Sequence, residues 1–303
     1  MNFRSLILRP SVPALAALLL FVLGGVVLSQ EKAEKAEKVE KAHKAEYKTK
    51  NKEFCSNNNW SNGDKVSVSD LRESTVASAG SLNIDAGRNG GIKVKGENRT
   101  DVLLRACVQA WGISEEAAKG IASSIRINTA GGMVKAEGPD ENGWSVSYEA
   151  RVPNSTDLKL TAHNGGISIG SVEGTLEFET TNGGVSVSDV AGSVKGRTTN
   201  GGVNVSLSGS SFKGSGLDVT TTNGGVNLSL PENYAANIET GTVHGGFSSD
   251  IPSLNITTED VKGDSYARTK SRRINMALNG GGPAVRVLTT NGGVRINSAE
   301  KRQ

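Results

Sequence analysis

Aromatic side chains are scarce in this sequence, 4% of 303 residues, and so are histidine and cysteine, with three and two. A core without large rings must be thin and filled by small and β-branched side chains, which suits β structure. The histidines, His43, His163 and His244, form no pair at metal-ligand spacing, and neither His163 nor His244 has a nearby carboxylate to orient it. No metal, cofactor or catalytic residue is therefore assigned. A CxxC redox pair is absent, as are the G-x-S-x-G nucleophile elbow and the G-x-x-x-x-G-K-[ST] phosphate loop. A calcium-binding glycine repeat needs a third glycine and an aspartate after the pair, whereas Gly183-Gly184 is followed by Val-Ser-Val-Ser.

A basic patch is missing too. The formal net charge is +3, but the tract Glu31–Lys52, EKAEKAEKVEKAHKAEYKTKNK, carries eight Lys and five Glu, and Arg4 and Arg9 lie before it. The rest of the chain is left at 3 − 3 − 2 = −2, which argues against nucleic acid as a partner. In the tract, Ala33, Ala36, Val39, Ala42 and Ala45 recur every three residues, a period that builds no lasting helical stripe. It reads as a solvated spacer over 30–52. Before it, two arginines, the apolar run Val12–Leu28 and the small residues up to Ser29 read as an export signal over 1–29. The run falls just short of a spanning helix, so an uncleaved membrane anchor is the lesser alternative. No cysteine follows the run to carry a lipid. In an exported chain, Cys55 and Cys107 predict a disulfide.

What is present in abundance is one phrase. Thr-Thr-Asn-Gly-Gly-Val stands at Thr180 and again at Thr198, and the first glycine of a pair recurs at Gly90, Gly131, Gly165, Gly183, Gly201, Gly224, Gly245 and Gly292. The clean spacings are 18, 18, 23 and 21 residues, close to the period of arrays. Aligned on the glycines, Leu158, Leu176, Val194, Leu217 and Ile238 form one apolar column. Ile167, Val185, Val203, Val226, Phe247 and Val294 form another beyond the turn. Alternation on both sides predicts half-buried strands. Asn-Gly between such strands also fits a β-hairpin. Its rival is a stack of coils in parallel sheets, for which Lys159, Glu177 and Lys195, and Glu179 beneath Arg197, supply alternating outward charges.

In the stacked reading Asn164, Asn182, Asn200, Asn223 and Asn291 share an inward parity and form a corner ladder, hydrogen-bonded from layer to layer, with left-handed backbone at Asn-Gly-Gly. Asn182→Ala and Asn200→Ala would each then cost about 1–3 kcal/mol. The outward Thr181, Thr199, Thr222 and Thr290 have unlike neighbours two residues earlier, so they make no flat threonine face. Ser114 before Glu115 and Glu116 predicts one short helix. Asp189, Glu173, Glu177 and Glu179 are positioned as carboxylates of a polysaccharide-cleaving enzyme would be. Nothing in the sequence makes two of them converge.

The run from Val146 to Val205, then LSLPENYAANIETGTVHGGFSSDIP and the closing NGGGPAVRVLTTNGGVRI, resemble the bacterial domain-of-unknown-function family described as a "putative adhesin" with β-strand repeats. The likeness covers about residues 80–298. It implies an all-β, parallel β-solenoid fold, with one short helix near its N-terminal part, and an exported setting; it carries no catalytic residues. His244 in place of the corner Asn and the segment from Phe54 to Asp70 depart from it. The expectation is a single solenoid domain over 53–303 acting without catalysis as an envelope adhesin or scaffold, in the periplasm, at the outer membrane surface or outside the cell. Its partner would be a polysaccharide or an envelope or host protein. A periplasmic sensing or maintenance domain is the second reading, and a polysaccharide-active enzyme the third.

Overall fold

The computed structural model describes residues 54–55, 65–139, 143–251, 257–260 and 270–299. The expected signal segment and spacer lie outside them. By packing, the chain divides into two units, Met1–Ser56 and Asn57–Gln303; the second carries the architecture. Both cysteines are disulfide-bonded, so the chain's two join as Cys55–Cys107.

The protein is mostly β, in two large sheets of ten and eleven strands. The strands in chain order are β1 (Val66–Ala77), β2 (Ser81–Asp85), β3 (Ile92–Glu97), β4 (Asp101–Gly112), β5 (Arg126–Asn128), β6 (Met133–Glu137), β7 (Trp144–Pro153), β8 (Asp157–Ala162), β9 (Ile167–Gly170), β10 (Glu173–Asn182) and β11 (Val185–Ser188). They continue as β12 (Ala191–Asn200), β13 (Val203–Ser206), β14 (Gly214–Asn223), β15 (Val226–Leu230), β16 (Ala236–His244), β17 (Phe247–Ser249), β18 (Thr257–Asp260), β19 (Lys270–Leu278), β20 (Ala284–Asn291) and β21 (Val294–Ser298). Helix α1 (Glu115–Ser124) stands where the cap pattern places it. Ser114 accepts a hydrogen bond from the Ala117 N–H, and two glutamates occupy the first turn.

At Asn89, Asn164, Asn182, Asn200, Asn223 and Asn291 the strands on either side of Asn-Gly-Gly belong to different sheets, so there the motif is a corner and not a hairpin; Asn279-Gly280-Gly281 instead lies between two strands of one sheet, β19 and β20. One strand from each sheet makes a layer. In the middle, β8/β9, β10/β11, β12/β13 and β14/β15 stack in chain order, all parallel. Leu158, Leu176, Val194 and Leu217 lie one above another, each at most 2% exposed. Phe178 and Gly196 are complementary neighbours in the next column: a Cβ on Gly196 would fall 1.9 Å from the Phe178 ring.

A uniformly parallel solenoid is not what the chain forms, and this expectation is corrected. Both sheets are mixed and neither closes. The last layer, β20/β21, slots between β14/β15 and β16/β17, so that Val285 separates Leu217 from Ile238. At the other end β2/β3 lies between β8/β9 and the outer layer β6/β7. Antiparallel strands finish the stack: β4 on β7 and β1 on β4 in one sheet, and β5 on β6, β19 on β16 and β18 on β19 in the other. The physical reason is the edge. A stack of parallel layers would present bare strand edges at both ends, and a returning antiparallel strand pairs them without another crossover.

Candidate binding face

The corner is built by close approach rather than by backbone torsion. Neither the ladder residues Asn164, Asn182, Asn200, Asn223 and Asn291 nor the two glycines after each has a left-handed φ, contrary to the expectation; of the other paired glycines, Gly131 does, at φ 64°. Instead, a Cβ on Gly183 would stand 2.1 Å from the Gly165 carbonyl oxygen, and one on Gly201 2.0 Å from that of Gly183. Adjacent layers touch through these glycines, and no side chain fits.

Two polar columns run beside them. The Asn182 side-chain amide donates to Asn164 Oδ1 at 2.8 Å, Asn200 to Asn182 at 2.7 Å, Asn223 to Asn200 at 2.8 Å and Asn291 to Asn223 at 2.8 Å. Asn164 donates in turn to Asn89, at 2.9 Å. These amides are exposed, so the inward parity read from the sequence is corrected: the chain bends at the corner and strict alternation ends there. The inward polar column is Thr180, Thr198, Thr221 and Thr289, each at most 5% exposed. Each hydroxyl donates at 2.7–2.8 Å to the corner glycine carbonyl of the preceding layer, those of Gly165, Gly183, Gly201 and Gly224. A buried hydroxyl so bonded carries no desolvation penalty. The sequence reading missed these threonines and Asn89. The phrase Arg88-Asn89-Gly90-Gly91 was the signal for the latter, and the first Thr of Thr-Thr-Asn for the former.

On the outer face of the eleven-stranded sheet the register sets Lys159, Glu177, Lys195, Asp218, Arg286 and Glu239 in one column of alternating sign. Arg286 bonds Asp218 at 2.7 Å and Glu239 at 3.3 Å, and Arg197 bonds Glu179 at 2.6 Å. Burial works against the Arg286 charge, but its hydrogen bonds to Asp218 and Glu239 hold its pKa above the ordinary value. A shallow depression of about 340 Å³ lies over Glu177, Glu179, Lys195, Arg197, Asp218 and Arg286. Such exposed pairs contribute about 0–1 kcal/mol each, so their effect is to fix side chains in register. The same alternation recurs in the other sheet as Glu73, Arg105, Glu149 and Lys93. There Arg105, 1% exposed, bonds Glu149.

Of the four carboxylates singled out, Glu177 and Glu179 sit in the charge columns, while Glu173 and Asp189 line a different depression at the opposite edge. His163 and His244 are exposed, and His43 lies outside the described residues. Among the described residues no three carboxylate, histidine or cysteine side chains group as a metal site. No helix there is long and apolar enough to cross a membrane.

No family model matches the chain, and no curated protein matches it. Among solved structures it is similar to one from Clostridium sporogenes described as a "putative cell adhesion protein", at 12% identity and a TM-score of 0.37, over 76% of this chain and 100% of that one. "Putative adhesins" from Bacteroides fragilis and Parabacteroides merdae match at 10% and 11% identity and TM-scores of 0.26 and 0.28. They cover 76% and 78% of this chain and 97% of each of theirs. Likenesses this distant carry no argument about what the protein does.

Proposed function

We propose that the protein is an exported, non-enzymatic component of the bacterial cell envelope, an adhesin or surface scaffold of the family its repeats resemble. Its outward side chains stand one layer apart, about 4.8 Å, in columns, one of which alternates in charge through six consecutive layers. That observation carries the reading. A face fixed before its partner arrives loses little entropy on binding, so many weak polar contacts can add up. The apolar run before the spacer and the Cys55–Cys107 bond both suit an oxidising, exported setting.

The test is accessibility of the protein to protease or antibody on intact and on permeabilised cells. Labelling of intact cells is the expected result. Protection until the envelope is opened would replace adhesion with a periplasmic partner-binding role. A screen of the purified protein against envelope and plant polysaccharides tests the absence of catalysis: turnover lost on substituting Asp189 or Glu173 would show an enzyme.

A further inference from the structure

The edge opposite the Asn-Gly-Gly corner holds a second, different site. Each layer returns there from one sheet to the other, with two residues between β11 and β12 but seven between β13 and β14. The five additional residues account for the spacing of 23 against 18 in the sequence. They raise a lip, Ser208 to Ser211, beside a depression of about 490 Å³, within the range of small-molecule pockets, about 300–1,000 Å³. Glu173, Asp189, Ser208, Ser210, Lys213 and Tyr234 are among its walls.

Three features separate this depression from the rest of the surface. First, Glu173 has Ser155 and Ala191 as its register neighbours, so the alternation that pairs charges elsewhere offers it no cation. No ion pair forms at Glu173, Asp189 or Lys213 among the described residues. Second, Tyr234 is 1% exposed, yet its hydroxyl makes no hydrogen bond among the described residues. Burial raises its pKa to about 12, so the phenol keeps its proton and can both donate and accept. The phenol oxygen is not sealed from solvent, so a ligand hydroxyl can replace the water that hydrates it at the wall of the depression. Third, Asp189 keeps a carboxylate at φ 51°, where glycine would be less strained, and Gly209 at φ 77° shows the lip using that alternative.

The chemistry of the walls narrows the occupant. Hydroxyls, a phenol and an ammonium donate, and two carboxylates accept, around apolar surface from Val172, Val190 and Leu207 that suits the C–H face of a sugar ring. An acyl chain would cover Glu173, Asp189 and Lys213 without bonding them, and a phosphate would meet two carboxylates against one lysine. We propose that this depression binds a neutral saccharide, its hydroxyls bonded by Asp189, Glu173 and Tyr234 and its outer edge by the serine lip and Lys213. This names a ligand class for the protein read as an envelope binding module, and rests on that reading.

The experiment is a titration of the purified, disulfide-bonded protein with a panel of neutral gluco-, galacto- and manno-oligosaccharides, followed by calorimetry and by NMR. At least one should bind at millimolar concentration or below. Tyr234→Phe should keep the parent melting temperature, since no protein partner is lost, and weaken that binding about three- to tenfold; Asp189→Asn should weaken it about tenfold or more. Glu137→Gln, at the exposed end of β6, should bind like the parent. Binding by no member of the panel, unchanged affinity in both pocket variants, or hydrolysis of the sugar would each overturn the proposal. Labelling on intact cells is independent of these substitutions, so failure here leaves the surface reading standing, and failure there leaves a measured affinity intact.

Discussion

The middle of the stack and its two ends obey different rules. From β8/β9 to β14/β15, chain order is layer order, every pairing is parallel, and each column repeats the same kind of residue. At the ends chain order and layer order part, antiparallel strands appear, and large side chains such as Arg105 and Tyr148 are fully buried where the middle uses smaller ones. The middle is a local solution, in which each coil rests on the one just made. The ends are non-local, because an edge must be closed by whatever chain can return to it.

Removing the inserted layer should break the comparison most severely. Truncation after Gly282 deletes β20 and β21, and with them Val285, Val287, Val294 and Ile296, none more than 2% exposed. At about 1.5–3 kcal/mol each, these side chains match the whole stability of a typical domain. Hydrogen exchange should lose protection across β16 and β19 while β8 to β13 stay protected. Retained protection in β16 would mean that the last layer is an appendage.

Within the middle, Gly183→Ala should cost about 1–3 kcal/mol or more, since its Cβ meets a carbonyl oxygen at 2.1 Å. Gly184→Ala next to it, with 3.5 Å to the nearest atom, should change stability by less than about 0.5 kcal/mol. Equal melting temperatures for the two would dismiss close approach as the reason for the motif. Thr198→Val should cost about 1–3 kcal/mol by stranding the Gly183 carbonyl. Asn182→Ala, on an exposed ladder, should cost no more than about 1 kcal/mol, less than the inward reading implied. A larger loss from the asparagine would reverse the roles assigned to the two ladders.

The smallest effect belongs to the N-terminal end. Burial opposes the charge of Asp85, but hydrogen bonds from Lys135 and the Gly87 N–H leave its pKa below the ordinary 3.8. Its contribution is therefore present above that value and lost as pH falls through the lowered one. Acid titration of Asp85→Asn against the parent should show a shallow difference confined to pH below about 4. A difference at neutral pH that grew with rising pH would have the wrong sign.

The same division explains what could be read in the sequence. Leu158, Leu176, Val194 and Leu217 were legible because neighbours in the stack are neighbours in the chain, and equal spacing aligns them. The charge column was visible as Lys159, Glu177 and Lys195. Its continuation through Asp218, Arg286 and Glu239 was hidden by a register shift at Gly192/Ser193 and by the inserted layer. Alternation misled at the corner, where it was carried past Thr181 and made the asparagines inward; the threonines two residues earlier, inward by the same parity, are the buried column. β4, β7 and β19 do not share the repeat spacing, and their partners lie across the ends. Glu173 and Asp189 were noticed, but their shared depression depends on an insertion in a different layer and on Tyr234 beyond it.

The order of layers at the C-terminal end is the most direct test. In the fold described, Asn227 and Ser248 both face outward beside Arg295, one on each side of it. Register neighbours stand within disulfide reach, whereas Asn227 and Ser248, two layers apart at about 9.6 Å, exceed the 7 Å limit. Under mild oxidation, Asn227→Cys paired with Arg295→Cys should cross-link readily, and Asn227→Cys paired with Ser248→Cys should not. Efficient closure of the second pair and none of the first would mean that the layers stack in chain order, and the inserted layer would have to be abandoned.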